Sequence, residues 1–97
     1  TASLNKRKRV CIISPEYERI RQYIINDLSR GLTIYNVKGG YSGEDKVELE
    51  ALLSTDEFSD LMKFVNENEI NAFITAGNVS EVYGLWGDKN RRKHISK

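Results

Sequence analysis

The sequence predicts a two-layer α+β domain in which two helices cover one face of a four-stranded antiparallel sheet. Three observations carry the prediction: four short runs of strand-forming residues, two amphipathic stripes opened by cap signals, and their alternation in the order β-α-β-β-α-β. Ninety-seven residues, 39% of them apolar and 30% charged, suffice for one modest core.

The first strand is Val10-Cys11-Ile12-Ile13, a run closed by Ser14-Pro15 and β-branched except for Cys11, as a buried central strand should be. A helix is expected over about 15–30. Ser14 is a good N-cap, Pro15 fits the first helical position, and Glu16 and Glu18 complement the positive end of the helix dipole. Tyr17, Ile20, Ile24 and Leu28 recur at helical spacing and form one stripe. Arg30-Gly31 supplies a basic last turn and a left-handed stop.

Leu32–Val37 and Val47–Leu53 read as the second and third strands, the latter alternating Val47, Leu49, Ala51 and Leu53 with Glu48 and Glu50. With Val37 facing Val47, the hairpin loop is Lys38–Lys46, nine residues with glycine at 39, 40 and 43. Ser54-Thr55-Asp56-Glu57 has capping-box spacing, and Phe58, Leu61, Met62 and Val65 form the stripe of a second helix. Residues 71–76 give the fourth strand, stopped at Gly77-Asn78. Right-handed crossovers arrange these elements as a ferredoxin-like sheet ordered 4-1-3-2.

The formal net charge of +1 conceals a segregated distribution. Residues 1–9 form a basic arm of charge +4, residues 88–97 a tail of +4, and the intervening domain, 10–87, carries −7. A single cysteine and a single histidine exclude disulfide scaffolds and zinc modules. No apolar run is long enough to span a bilayer.

Four sequence words occur in order: Ser-Arg-Gly-Leu-Thr (29–33), Gly-Gly-Tyr-Ser-Gly-Glu (39–44), Asn-Ala-Phe-Ile (71–74) and Ser-Glu-Val-Tyr-Gly (80–84). Together they resemble the C-terminal domain of unknown function of YitT-type bacterial membrane proteins. The resemblance implies a regulatory or ligand-sensing module on the cytoplasmic face of the membrane, similar in layout to the nitrogen-regulatory signalling proteins and preceded by a parent membrane segment. The basic cluster Lys6–Arg9 agrees with that setting, because basic residues close to a span favour the cytoplasmic side.

The Gly-rich loop is the foremost candidate site. Gly39, Gly40 and Gly43 allow a backbone that turns N–H groups toward an anion, Tyr41 offers a stacking ring and Ser42 a hydroxyl; Lys38, Lys46 and Arg30 supply charge for a small anionic or nucleotide ligand. The spacing fits neither a P-loop nor a dinucleotide fingerprint. Glu48 and Glu50 share one strand face but read as solvated, with no metal or cofactor expected, and Cys11 lacks an adjacent imidazole, so no enzyme activity is expected. The uncovered sheet face predicts a homo-oligomer, with Leu32, Ile34 and Leu52 on the side shared with Glu48 and Glu50, and Trp86 as either a further anchor or a lid on the core. An oligomerisation or protein-interaction module without a ligand is the alternative. RNA binding fits less well, because the third strand shows carboxylates where such domains show aromatics.

Overall fold

The computed structural model describes residues 7–84. Its elements are β1 (Arg7–Ile13), α1 (Tyr17–Gln22) continued by a π-helical segment (Tyr23–Asp27), β2 (Thr33–Lys38), β3 (Asp45–Ser54), α2 (Thr55–Glu67) and β4 (Phe73–Val79). All pairings are antiparallel in the order β2-β3-β1-β4, the expected ferredoxin-like arrangement. The charged tail 88–97, Trp86, and residues 1–6 of the basic arm lie outside the described residues.

Strand alternation sends Val10 and Ile12 of β1 and Leu49, Ala51 and Leu53 of β3 to the helix side. There they meet Ile20, Ile24 and Leu28 from the first helical unit and Leu61 and Val65 from α2. The first stripe expected from the sequence faces the core, with Tyr17 packed against it; of the second, Leu61 and Val65 are buried and Phe58 packs at the margin, but Phe64 and not Met62 joins them. The Tyr23 ring stacks on Phe64 at 4.1 Å, linking the two helical units at the margin of the core.

Helix ends depart from expectation at the first unit and agree at the second. Ser14 does not cap α1. Its buried hydroxyl accepts from the Glu16 amide (3.0 Å) and donates to the Asn71 carbonyl (2.6 Å), tying the β1–α1 turn to the segment ahead of β4, and α1 begins only at Tyr17. The left-handed stop is Ser29 (φ 58) rather than Gly31, because the wide π turn closes early: the Leu28 amide donates to the Tyr23 carbonyl and the Arg30 amide to that of Ile24. At α2 the capping box is complete. The Ser54 hydroxyl accepts from the Glu57 amide (3.1 Å), and the Ser54 amide donates to Glu57 Oε1 (2.9 Å). Beyond α2, Glu69 is left-handed (φ 52), and the Ile70 amide reaches back to the Val65 carbonyl as Ile70 enters the core.

The hairpin register differs by one residue from expectation. Val37 pairs with Lys46 and Lys38 with Asp45, so the loop is residues 39–44, six rather than nine. The Lys38–Asp45 ion pair (2.7 Å) and the Gly39 amide bond to the Glu44 carbonyl (2.8 Å) extend the ladder into the stretch expected to be loop. With a side-chain period of two, this shift exchanges the faces of β2. Ile34 pairs with Leu49 on the helix side, and Leu32 packs against the core. Of the three residues expected beside Glu48 and Glu50, only Leu52 is there. Their β2 neighbours are Thr33, Tyr35 and Val37.

Three strands are longer than expected: β3 reaches ten residues at Asp45–Ser54, and two others extend as well. β1 takes in Arg7–Arg9 from the basic arm, and β4 passes through Gly77-Asn78 to Val79, because Arg9 pairs with Gly77, Lys8 with Asn78 and Arg7 with Val79. The Lys8 ammonium donates to Asn78 Oδ1 (3.0 Å). A strand partner outweighs the local turn signal of Gly-Asn.

Candidate functional site

The hairpin loop is built by two of its three glycines. Gly43 is left-handed (φ +75), and a Cβ on Gly39 would lie 2.9 Å from the Ser42 hydroxyl oxygen; Gly40 has open space around it and needs no glycine on either ground. Much of the loop's donor capacity is turned inward. The amides of Gly39, Gly43 and Glu44 donate to the Glu44 carbonyl, the Gly39 carbonyl and the Ser42 hydroxyl. Tyr41 is fully exposed. At the base of the loop a groove of about 470 Å³ is lined by Val37, Lys38, Asp45 and Lys46, among others. Lys38 is paired with Asp45, so Lys46 is the better placed cation for a ligand there.

Arg30 does not join this cluster. It precedes β2, with the whole strand, roughly 17 Å at the usual rise per residue, between it and the loop. Its guanidinium is buried against Glu57, with Nε 3.0 and 3.1 Å from the two carboxylate oxygens. The sequence signalled Arg30 as a ligand cation and Glu57 as a capping residue. The fold makes them one buried ion pair joining the end of the first helical unit to the start of α2.

Opposite the helices lies the open face of the sheet, bearing Arg7, Arg9, Cys11 and Ile13 of β1, Glu48, Glu50 and Leu52 of β3, Tyr35 of β2, and Phe73 of β4. Phe73 is 67% exposed. At the centre, Glu50 accepts from the Tyr35 hydroxyl at Oε1 (2.7 Å) and from Arg9 Nε at Oε2. The Tyr35 hydrogen bond and the Arg9 guanidinium hold the Glu50 carboxyl below the usual carboxylate range. The same hydrogen bond and the charge of Glu50 push the Tyr35 phenol up. Burial, with a hydrogen bond to Glu48, pushes the Cys11 thiol up, which disfavours the nucleophilic thiolate.

A groove of about 540 Å³ lies at the end of the sheet remote from the hairpin, bordered by open-face residues and by the Arg30–Leu32 segment that leads into β2. Arg9 and Glu50 lie along it; Leu32, Leu52, Val79 and Val82 give it apolar walls. Sequence reasoning missed this site. Two of the four words singled out in the sequence meet here: Arg30, Gly31, Leu32 and Thr33 come from one, and Val82 from another some fifty positions later. Only the successive pairing of β2 with β3, β3 with β1 and β1 with β4 brings them together.

Comparison with known proteins places the chain in context. The family described as "Uncharacterized protein conserved in bacteria (DUF2179)" matches residues 30–84. The chain is 31% identical over 81 residues to the UPF0750 membrane protein YxkD of Bacillus subtilis (strain 168), covering 84% of this chain and 29% of that protein. It is 28% identical over 80 residues to the UPF0750 membrane protein YvjA of the same organism, covering 82% and 28% respectively. The chain thus spans less than a third of either relative. Among solved structures, the DUF2179 protein from Eubacterium ventriosum superposes with a TM-score of 0.63 at 17% identity, covering 73% of this chain and 97% of that one. A putative PII-like signaling protein from Thermus thermophilus gives 0.61 at 20% identity, covering 76% and 86%. These likenesses bear out the ferredoxin-like fold and the resemblance to a domain of bacterial membrane proteins. Among the described residues no helix is long and apolar enough to cross a membrane.

Proposed function

Because the chain belongs to DUF2179, a family of uncharacterised proteins conserved in bacteria, we propose that it is a non-catalytic regulatory module on the cytoplasmic face of a membrane protein. In this reading it binds a small anionic ligand at the Gly39–Glu44 hairpin and self-associates through its open sheet face. The observation that carries the reading is the one-sided sheet: helices cover one layer, while the other presents Tyr35, Leu52 and Phe73 around an ordered Arg9–Glu50–Tyr35 network. Such a surface suits a second copy. A ligand at the hairpin is coupled to that surface through β2 and β3, which carry both, provided it favours one packing of the subunits over another.

Support for a non-catalytic role comes from the side chains themselves. Glu50 is engaged on both oxygens, and the Cys11 thiol is displaced toward its neutral form. The PII-like layout supports a signalling role by architecture alone. A ligand-free assembly module is the second reading, favoured by the three loop amides already consumed within the hairpin.

Thermal-shift measurements with nucleotides and inorganic anions, on the natural chain and on Gly43→Val, test the first reading. Stabilisation of the natural chain that Gly43→Val weakens is expected. No stabilisation by any of them removes the sensor and leaves the assembly module. Light scattering that finds a single monomeric species at every concentration removes self-association.

A further inference from the structure

We propose that the groove at the Arg9 end of the open face is a second binding site, selective for a carboxylate attached to a compact apolar body. This inference is independent of the hairpin reading, since the two sites lie at opposite ends of the sheet, and it requires that self-association through the open face leave the Arg9 end uncovered. A volume of about 540 Å³ is ample for a small organic molecule. The walls dictate the body of that molecule: Leu32, Leu52, Val79 and Val82 offer aliphatic contact from three separate segments of the chain.

Arg9 dictates the head group. Its Nε is committed to Glu50, and Glu50 is in turn held by the Tyr35 hydroxyl, so the guanidinium is anchored at one nitrogen. Its two terminal nitrogens make no hydrogen bond or ion pair with another described residue. An anchored fork of N–H donors beside apolar walls matches a planar carboxylate, which it can grip bidentately with little further loss of side-chain freedom. The Arg30 charge at the groove wall is matched by Glu57 and that of Arg9 by Glu50, so recognition rests on the donor geometry of the Arg9 fork and not on net charge. A tetrahedral phosphate dianion calls for several donors converging from different directions, which a single fork between leucines and valines does not supply.

Carboxylates of this kind come from two sources, a free small acid and the C-terminus of a peptide ending in an aliphatic residue. The test uses methyl-resolved NMR of the full 97-residue chain, following the methyl groups of Leu32, Leu52, Val79 and Val82. The probes are 4-methylpentanoate and the peptide acetyl-Ala-Val-Leu with a free C-terminus. Each is paired with its carboxamide, and inorganic phosphate is run alongside. Both or either of the carboxylates should shift these methyls saturably below about 10 mM, a range attainable for ligands of this size. The carboxamides, and either carboxylate on Arg9→Gln, should bind about tenfold to a hundredfold more weakly, the loss expected for a charge-assisted contact. Arg9→Lys, which keeps the charge but not the fork, should fall between. Tighter binding of the pentanoate identifies a small acid as the source, and tighter binding of the peptide identifies a chain terminus. The proposal is overturned if neither carboxylate shifts the groove methyls, if the amides bind equally well, if Arg9→Gln binds as tightly as the natural chain, or if phosphate alone shifts them.

Discussion

Replacing Arg30 with methionine tests the central energetic claim about the junction between the layers. The Arg30 and Glu57 side chains are only 8% and 10% exposed, and Arg30 Nε lies 3.0 Å from Glu57 Oε2 and 3.1 Å from Oε1. Oε1 also receives the Ser54 amide of the capping box at 2.9 Å. Methionine retains much of the aliphatic volume but removes the guanidinium from a carboxylate that has little access to water. Breaking a buried pair from one side costs about 3–5 kcal/mol, whereas an exposed pair is worth at most about 1 kcal/mol. Against a typical total stability of about 5–15 kcal/mol this is a large fraction, and it corresponds to a fall in Tm of at least about 12 °C for a domain of this size. Urea unfolding followed by far-UV circular dichroism at pH 7 measures it. The double variant Arg30→Met with Glu57→Met should be less destabilised than the two single changes added together, since it buries no uncompensated charge; it keeps only the loss of the cap, about 1 kcal/mol. An Arg30→Met chain within about 1 kcal/mol of the natural one, or additive single changes, would refute the reasoning.

Other expectations concern the open face and the two left-handed positions. Glu50 has a lowered folded-state pKa, so its contribution is present above the unfolded carboxyl pKa of about 4.3 and is lost as pH falls through the folded value. Tyr35 has a raised one, so its contribution is present below the unfolded phenol pKa of about 10 and is lost as pH rises through the folded value. Tyr35→Phe should therefore flatten both the acid and the alkaline limbs of a stability–pH curve, and superimposable curves would refute the assignment. Glu69→Gly should raise the urea midpoint by the equivalent of about 0.5–1 kcal/mol with an unchanged slope, because glycine relieves the left-handed backbone at φ 52. Gly43→Val should cost about 1–2 kcal/mol through the backbone at φ +75, while Gly40→Val should stay within about 0.5 kcal/mol; equal effects in chemical denaturation would show that the loop is not held as described.

Features written in short-range spacing were legible without the fold. The α2 capping box follows from Ser54 and Glu57 three positions apart, and the core stripe of the first helical unit from Ile20, Ile24 and Leu28. The order of the strands followed from the alternation of elements and the handedness of crossovers. The candidate sites were legible in unequal measure. The hairpin announced itself through its glycines, although Gly40, one of the three, answers to no geometric need. The Arg9 groove was hidden, because its walls come from segments that local patterning treats as a helix end, a strand and a post-strand loop.

Periodicity, capping and composition determined the two-layer architecture, since each depends on residues within about a turn or a strand of one another. Tertiary structure alone decided the one-residue register of β2, the burial of Arg30 against Glu57 across 27 positions, and the meeting of Leu32 with Val82. These outcomes rest on pairings between distant segments, whose free energies depend on the neighbours brought into contact and not on any local stretch of chain. A shift of one residue leaves the composition of β2 unchanged yet reverses every side chain on it, so the surface that a partner or ligand meets is settled only when the strands pair.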